Sequence, residues 1–299
     1  MAKSILPYME LSSATVIAGS SVVAGKLMVN KLPLFLTQGI CLMAALMVLI
    51  PLTLKKEKGI PRINTKDLPV IFLQALTGMF LFRVFMLYGL KHTSAIESGI
   101  ITSSTPAVLA LFSFVAFKEK FTWNRTAGIL FTVAGILMIN TIGVGETQGQ
   151  GLNTLAGNLL ILFAVICEAL LTVFRKMTSK AVSPITGTTM VTIFSFILFI
   201  PFSIMDVQRI DFAAISLNQW LLILYYGIVV TAMAYILWFS GVSKVSAGTA
   251  AVYTGCIPVS TVLLSCAVLK ESFTWIHLGG TFLVISGIVF MTIFKSKEI

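Results

Sequence analysis

The chain has 299 residues, of which 57% are hydrophobic and 11% are charged, and its mean hydropathy is +0.99. A soluble domain has about a quarter of its residues charged, so this chain lacks the polar residues that a water-facing surface needs and is not a pair of soluble domains. Its net charge of +10 is spread over short segments rather than gathered in one basic stripe, which argues against nucleic-acid binding.

Ten apolar windows of about twenty residues follow one another along the chain, each long enough for a helix to cross roughly 30 Å of hydrocarbon. The first five run from Tyr8 to Val29, Leu34 to Leu54, Leu68 to Leu90, Ala95 to Phe117, and Asn124 to Ile142. After a glycine-rich polar stretch, the second five run from Thr154 to Phe174, Pro184 to Met205, Asn218 to Ser240, Ala247 to Leu269, and Thr274 to Phe294. No small-residue cleavage site follows the first window, so we expect that helix to be retained. The windows predict an all-α integral membrane protein with ten transmembrane helices.

Basic residues predict the orientation of these helices, because short loops rich in Lys and Arg stay in the cytoplasm. With the N-terminus in the cytoplasm, most of the 21 Lys and Arg residues fall on the cytoplasmic side, including Lys55, Lys56 and Lys58 after the second window. We therefore expect an integral protein of the plasma (inner) membrane with both termini in the cytoplasm.

The second half of the chain repeats the first. When the chain is aligned with itself, with no gap between Gly89 and Gly135, matched positions carry identical residues: Gly89 with Gly241, Ser94 with Ser246, Ala95 with Ala247, Thr102 with Thr254, Pro106 with Pro258, Lys118-Glu119 with Lys270-Glu271, Phe121-Thr122-Trp123 with Phe273-Thr274-Trp275, Gly128 with Gly280, and Gly135 with Gly287. We predict two five-helix repeats, residues 1–145 and 154–299, joined by a linker at 146–153.

The odd number of helices in each repeat has a topological consequence: the second repeat must cross the membrane upside down relative to the first. Inverted repeats about an axis in the membrane plane recur in secondary transporters, where rocking between two pseudo-symmetric states opens one side and then the other. The repeat therefore predicts a carrier of small solutes.

A recurring set of residues supports this interpretation. In the first half it comprises the run from Tyr88 to Ala95, then Pro106, Phe117-Lys118-Glu119, Gly128 and Gly135. In the second half it comprises the run from Ser240 to Val242, then Ala247, Pro258, Leu269-Lys270-Glu271, Gly280 and Gly287. Over nearly the whole chain, this pattern resembles the EamA-like branch of the drug/metabolite transporter superfamily. The resemblance implies ten helices, an inverted repeat, and export or import of metabolites without ATP. One departure is Gln38, since an Arg often lies near this point of the second helix in such proteins.

Two prolines lie in the middle of predicted helices, Pro106 in the fourth and Pro258 in the ninth. Each removes a backbone hydrogen bond and frees a carbonyl, which a membrane tolerates where a cavity or a neighbour satisfies that group. Because the polar residues Thr102, Tyr253 and Thr254 lie nearby, we interpret the prolines as kinks beside a central cavity and expect these three residues to contact the substrate. Simple packing bends are the alternative.

Charged residues inside the hydrocarbon cost about 2.5–3.5 kcal/mol on insertion scales, so they tend to mark a pathway or a partner. Arg83 in the third helix, Glu97 one turn inside the fourth and Glu168 in the middle of the sixth are of this kind. Lys26 and Glu271 lie near helix ends, and we interpret them as residues of the membrane interface, Glu271 as an ion-pair or capping residue.

Glu168 has a further resemblance. The stretch from Val165 to Ala169, with Thr172 and Lys176 after it, resembles the first helix of small multidrug resistance transporters, in which a membrane Glu binds protons and cationic substrate in turn. The resemblance implies proton coupling at Glu168. The alternative is a static structural ion pair between Glu168 and Arg83.

Together these features predict a secondary transporter that moves small metabolites by alternating access. Amino-acid-like solutes are the leading substrate class, and efflux is the expected direction. Arg83 would hold a carboxylate by a two-pronged contact, and Glu168 or Glu97 would hold an ammonium. Apolar or cation–π contacts to the solute are expected from three aromatic residues, Tyr235, Trp238 and Tyr253.

A facilitative uniporter of the same fold is the main alternative, followed by an ion channel and a membrane-embedded lipid-processing enzyme. Lipid-processing enzymes need clustered Asp, His or nucleophile motifs, which this sequence lacks, and an ATP-driven pump needs a GxxxxGK[ST] loop. We therefore expect no enzymatic activity and no cofactor. We also expect no metal site, because the four cysteines lie in apolar windows without a CxxC pair or nearby histidines. The expected partners are a small-molecule substrate and the lipid bilayer, with monomer and homodimer both open.

Overall fold

The protein is described from a computed structural model that covers residues 5–29, 31–61, 63–102, 104–105, 107–108, 111–112, 123–142, 151–179, 181–208, 210, 212, 215–244, 253 and 256–293. All regular secondary structure among these residues is helical. The helices of the first half are α1 (Leu6–Val29), α2 (Leu34–Lys56), α3 (Leu68–Ala75), α4 (Phe82–His92), α5 (Ala95–Thr102) and α6 (Trp123–Ile142). Those of the second half are α7 (Gly151–Met177), α8 (Pro184–Val207), α9 (Leu217–Leu224), α10 (Ala234–Lys244), α11 (Cys256–Leu264) and α12 (Trp275–Ile293).

Wider, π-helical turns interrupt three of these helical runs. One at Leu76–Leu81 joins α3 to α4, one at Tyr225–Met233 joins α9 to α10, and one at Ser265–Leu269 follows α11. The spans predicted around the first two are therefore continuous, but each contains a turn that the apolar windows did not predict. Such turns are rare in proteins and are frequent at functional sites.

Six helical spans in the described part of the chain are long and apolar enough to cross a membrane: Leu6–Val29, Leu34–Lys56, Leu68–His92, Asn153–Arg175, Pro184–Val207 and Leu217–Trp238. Shorter apolar helices lie within the fifth, ninth and tenth predicted windows, and much of the fourth window lies outside the described residues. Large apolar side chains such as Phe163, Ile204 and Leu221 are exposed, as expected of a surface that faces acyl chains. These features indicate an integral membrane protein, and the count of ten helices stays a prediction.

Local sequence determines where several helices begin. Pro184 occupies the first turn of α8, and Ser183 caps that helix by accepting a hydrogen bond from the Thr186 backbone N–H. At the start of α9, the side chains of Ser216 and Gln219 each accept from the other residue's backbone N–H and form a capping box. These polar caps satisfy the first N–H groups of helices whose bodies are apolar.

Carboxylates connect α2 to α8 at both ends of the pair. Asp206, near the end of α8, accepts hydrogen bonds from the backbone N–H groups of Phe35 (3.0 Å) and Leu36 (3.2 Å) at the start of α2. Glu57, just after α2, accepts from the hydroxyls of Ser183 and Thr186 at the start of α8. These two hydrogen bonds hold the pKa of the Glu57 carboxyl below its usual value. The two helices are thereby fixed in antiparallel register.

Small residues allow the closest helix contacts. A Cβ atom on Gly89 of α4 would lie 2.9 Å from the Gly157 carbonyl oxygen of α7, and one on Gly157 would lie 3.0 Å from the Gly89 oxygen. In addition, α6 packs against α12. The four glycines of these two helices that the repeat singles out are all buried, in agreement with a packing role: Gly128, Gly135, Gly280 and Gly287.

Charged clusters mark the two ends of α1. Near its first turn, Glu10 pairs with the Lys244 ammonium of α10 at 2.7 Å. Near its last turn, Lys26 lies within electrostatic range of Glu97 and Glu271. We refer to these ends of the helix bundle as the Lys244 end and the Glu271 end.

Candidate functional site

Arg83 is buried between helices of both halves of the chain. It is the second residue of α4, and only 4% of it is exposed. Its guanidinium Nη1 donates to the Gln38 side-chain oxygen of α2 at 2.6 Å, and Nη2 donates to the Thr231 hydroxyl at 2.7 Å. The charge is thus held by two neutral oxygen atoms, and the Arg83 side chain connects α2 and α4 to the π-helical turn before α10.

The π-helical turn Tyr225–Met233 supplies two of the groups around Arg83. Thr231 donates its own hydroxyl proton to the Tyr226 carbonyl five residues earlier, at 2.9 Å, so its oxygen is left to accept from Arg83. The Tyr226 ring lies under the guanidinium, with the carbon Cζ of Arg83 5.4 Å from the ring centroid, in cation–π range. The widened turn therefore presents a hydroxyl acceptor and an aromatic face to the same cation.

Arg83 forms no ion pair with any carboxylate in the described part of the chain. In particular it does not bond to Glu168, so the static ion pair considered above is not the arrangement that the structure contains. A guanidinium inside a membrane protein that is matched only by neutral groups is a candidate contact for an anionic ligand.

Glu168 lies near the middle of α7, where its carboxylate accepts a hydrogen bond from the Thr105 hydroxyl at 2.8 Å. Tyr235 of α10 lies within electrostatic range of both Glu168 and Arg83 and packs against the main apolar core. The structure therefore brings three of the sequence-predicted residues, Arg83, Tyr235 and Glu168, into one region.

Depth along the helices places this region in the interior. Arg83 precedes Leu90, whose carbonyl lies at the Glu271 end, by seven residues, or roughly 10 Å of helix. Glu168 follows Asn158, also at that end, by ten residues, or roughly 15 Å. We call the group formed by Gln38, Arg83, Thr231, Tyr235 and Glu168 the central site.

Thr102 does not reach either charged group. Its hydroxyl donates to the Gly99 carbonyl of its own helix at 3.0 Å. The threonine one turn further on, Thr105, is the one that contacts Glu168. The threonine that touches the carboxylate is therefore not the one that the sequence analysis named.

Glu97 belongs to a separate cluster at the Glu271 end. The Thr93 hydroxyl lies within hydrogen-bonding range of both the Glu97 carboxylate and the Asn158 side-chain oxygen. The His277 Nε2 lies 3.9 Å from a Glu97 oxygen. Glu97 was predicted to be a second carboxylate for a solute ammonium, but in this conformation it contacts residues of α7 and α12 and none of the central site.

Two further ionisable groups hold this end together. The Lys26 ammonium donates to the carbonyls of Leu90 and Thr93 at the end of α4, each at 2.5 Å. The Glu271 carboxylate accepts from the backbone N–H groups of Ala95 (2.9 Å) and Ile96 (3.0 Å) and so caps α5. The capping role predicted for Glu271 is confirmed.

Tight packing lies directly below this cluster. A Cβ atom on Gly99 of α5 would be 2.6 Å from the Thr261 Cγ2 of α11, and the Thr261 hydroxyl donates to the Gly19 carbonyl of α1 at 3.1 Å. Helices α1, α5 and α11 therefore pack tightly against one another at this point.

The remaining sequence-predicted residues are dispersed. Trp238 is half-buried on α10. Tyr253 is half-buried, and its ring centroid is 6.2 Å from that of Tyr8, at the start of α1. Pro258 is buried in the first turn of the described part of α11. The predicted kink at Pro106 and the predicted substrate contact at Thr254 lie outside the described residues.

A cavity of about 300 Å³ opens beside the start of α2, away from the central site. Its lining residues are Pro33, Leu34, Phe35, Tyr88, Lys91, Phe202, Met205 and Asp206. Its carboxylate, Asp206, is already engaged as the cap of α2. Among the described residues, no three His, Cys, Asp or Glu side chains are grouped so as to hold a metal ion.

Gln38, Thr231 and Tyr226 were missed as neighbours of Arg83. A glutamine one turn inside an apolar helix is an available signal, because a buried amide needs hydrogen-bonding partners. Thr231 and Tyr226 carry no comparable signal, since both are common in membrane helices and are brought to Arg83 by the π-helical turn.

Comparison with known proteins gives a consistent result. A family model described as the EamA-like transporter family matches residues 8–141 and 155–293. The chain is 42% identical over 291 residues to YetK of Bacillus subtilis (strain 168), an uncharacterized transporter, with 97% of this chain and 88% of that protein covered. It is 26% identical over 227 residues to an uncharacterized transporter of Archaeoglobus fulgidus, with 76% of this chain and 78% of that protein covered.

A solved crystal structure shares the fold. It matches with a TM-score of 0.64 at 17% identity and covers 95% of both chains. The match extends over nearly the whole length of both molecules, so the solved structure has the same overall arrangement of helices as this chain.

Proposed function

Because the chain belongs to the EamA-like transporter family, we propose that this transporter is a secondary carrier of small zwitterionic metabolites, with amino-acid-like solutes as the substrate class. The observation that carries the proposal is the central site. It holds a buried cation, Arg83, and a carboxylate, Glu168, which are not bonded to each other and lie within electrostatic range of the same tyrosine.

This arrangement suits a solute with two opposite charges. The Arg83 guanidinium has a planar set of N–H donors that binds both oxygens of a carboxylate, with charge-assisted hydrogen bonds. Glu168 supplies a counter-charge for the ammonium, and Tyr235 offers aromatic surface to the solute's side chain. A zwitterion neutralises both site charges at once, whereas a singly charged solute leaves one charge buried without a counter-ion.

Two inverted five-helix repeats form the proposed framework of this carrier. Helix contacts support it: α4 packs against α7 as α10 packs against α1, and α5 packs against α7 as α11 packs against α1. Each contact in one set has its counterpart in the other when the two halves are exchanged. The π-helical turns at Leu76–Leu81 and Tyr225–Met233 lie at corresponding positions of the repeats, which also supports the proposal.

Alternating access is the proposed mechanism, with the Glu271 end facing outward in a plasma membrane and the Lys244 end facing the cytoplasm. The closure formed by Lys26, Glu97 and Glu271, with Gly99 packed on Thr261 below it, supports a conformation that is shut on the outer side. Outward movement of the solute then requires these contacts to separate. Polar and charged contacts suit such a gate, because water replaces them at little net cost when the gate opens.

Proton exchange at Glu168 is the proposed energy source. A proton on the carboxylate removes the counter-charge for the solute ammonium, so proton and solute bind in alternation. A uniporter of the same fold would use the same two charges without this exchange, and the outcome of proton-gradient experiments separates the two.

Labelling of single cysteines tests the inverted topology. We expect cysteines placed at Glu57 and Lys297 to react with an impermeant thiol reagent only from the cytoplasmic side, and cysteines at Gln148 and Ile210 only from outside. The background variant has the four native cysteines replaced. Finding Gln148 and Lys297 on the same side contradicts two five-helix repeats of opposite orientation.

Counterflow in proteoliposomes tests the substrate class. Wild-type protein is screened with a panel of unlabelled amino acids, and the best competitor is compared with its decarboxylated amine and its deaminated acid. We expect each analogue to compete at least about tenfold more weakly, because a hydrogen bond to a charged group contributes about 1.5–3 kcal/mol and 1.4 kcal/mol is a factor of ten. Equal competition by all three compounds contradicts a two-charge site.

A further inference from the structure

The orientation of the Gln38 amide follows from its neighbour. Arg83 has only N–H donors, so the group of Gln38 that faces it must be the side-chain oxygen, at 2.6 Å. The amide nitrogen Nε2 is consequently not the atom that contacts the guanidinium. Gln38 is 0% exposed, and its Nε2 has no hydrogen-bond acceptor among the residues that the structure describes.

A buried amide N–H without an acceptor is rare, because no hydrogen bond compensates for the free energy of removing the donor from water. In a membrane protein the bulk solvent that would otherwise compensate is distant. The side chain with this unpaired donor also binds Arg83, the arginine of the central site. This combination indicates that a ligand supplies the missing acceptor.

The charge of the cluster limits what that acceptor is. Around Arg83 lie the neutral groups of Gln38, Thr231 and Tyr226, so the cluster carries a single positive charge. A carboxylate brings one negative charge and two oxygen acceptors, which matches one guanidinium and one amide donor. A dianion such as a phosphate would leave an uncompensated negative charge in the interior.

We propose that Gln38 is a specificity-determining residue that binds the carboxylate of the solute together with Arg83. This inference rests on the proposed function, since it assigns a second protein contact to the same solute group. Both carboxylate oxygens accept from Arg83, and the Gln38 amide N–H donates to one of them as well. The amide therefore favours carboxylate-bearing solutes over amines of the same size.

Two substitutions at position 38 distinguish a reading role from a structural one. Gln38→Leu keeps the approximate size of the side chain and removes the amide. It should therefore selectively lower the affinity for carboxylate-bearing solutes. Gln38→Glu places a fixed carboxylate against Arg83 and occupies the guanidinium from within the protein. It should abolish amino-acid binding, while the decarboxylated amine still binds.

The experiment measures dissociation constants in detergent from the concentration dependence of the Tm, so it does not require transport. The probes are the amino acids of the standard set, acetate, and the amine analogue of the amino acid that binds best. We expect Gln38→Leu to lower the amino-acid-to-amine affinity ratio by about 5- to 20-fold. The matched control is Gln74→Leu, a buried glutamine of α3 that bonds to Thr178 at 2.8 Å, and it should leave the ratio unchanged.

Each outcome bears on the inference. An unchanged ratio in Gln38→Leu, with amino-acid binding lost in Arg83→Ala, overturns the role of Gln38 and leaves the proposed function standing. If the wild-type protein binds amino acids but never transports them, and Gln38→Leu selectively loses amino-acid binding, the inference is supported and the proposed function is contradicted. Absence of binding by every carboxylate probe overturns both. If Gln38→Leu does not fold, Gln38→Glu decides, and equal binding of amino acid and amine by that variant overturns the inference.

Discussion

Replacing Arg83 with alanine should lower the affinity for amino-acid-like solutes by about 10- to 100-fold. The guanidinium is buried and matched only by neutral groups, so the substitution removes the one cation of the central site. Loss of a charge-assisted hydrogen bond costs about 1.5–3 kcal/mol, which corresponds to this range. The affinity is measured by competition in the counterflow assay, and folding is checked by the Tm and by gel filtration.

Two comparisons make the result specific. Arg83→Lys keeps the charge but not the planar pair of donors, and we expect an intermediate affinity. Arg175→Ala removes an arginine of α7 whose side chain contacts Gly187 of α8, and we expect the affinity to stay within about twofold. Normal transport by Arg83→Ala means that the solute carboxylate binds elsewhere.

Replacing Glu168 with glutamine should uncouple transport from the proton gradient while leaving the protein folded. Glutamine resembles the protonated carboxyl group and still accepts a hydrogen bond from Thr105, so the local packing is kept. In proteoliposomes with a gradient of one pH unit, one-for-one exchange drives the wild-type solute ratio to about tenfold, because one pH unit is 1.36 kcal/mol. For Glu168→Gln we expect a ratio near unity, with solute exchange down its own gradient retained.

The control for this experiment is Glu57→Gln, which changes a carboxyl group at the end of α2 outside the central site. It should accumulate solute like the wild type. A wild-type ratio fixed at unity, with and without the gradient, identifies a uniporter and leaves Glu168 as a residue of the solute site alone. Accumulation by Glu168→Gln equal to that of the wild type places the coupling group at another residue.

The apolar windows predicted the long helices well, because the thickness of the bilayer sets the length of an apolar run. The predicted first residues of two helices, Leu34 of α2 and Pro184 of α8, are the observed ones. Pro33 immediately precedes α2, and Ser183 caps α8. The three π-helical turns were not predictable in this way. A change from one backbone register to the next leaves the apolar composition of the segment as it was.

The composition of the central site was predicted in part. Arg83 and Glu168 stand out in the sequence because charge is rare inside apolar helices. Their neighbours do not, because the contacts of Arg83 join residues 45 and 148 positions apart, and a single sequence contains no signal for such pairs. The position of Glu97 illustrates the same limit: its depth in a predicted helix was known, but the partners on α7 and α12 that hold it at the Glu271 end were not.

The claim that one solute bridges Arg83 and Glu168 is tested most directly by a thermodynamic cycle between the solute and the protein. Dissociation constants are measured for an amino acid and its decarboxylated amine, each with wild-type protein and with Arg83→Ala. If Arg83 binds the carboxylate, the substitution lowers the affinity for the amino acid by tenfold or more and leaves the affinity for the amine unchanged. This difference corresponds to a coupling free energy of at least about 1.4 kcal/mol. The reciprocal cycle pairs Glu168→Gln with the deaminated acid and should give a coupling of similar size. Equal weakening of both solutes in each cycle, and hence zero coupling, would contradict the two-charge site.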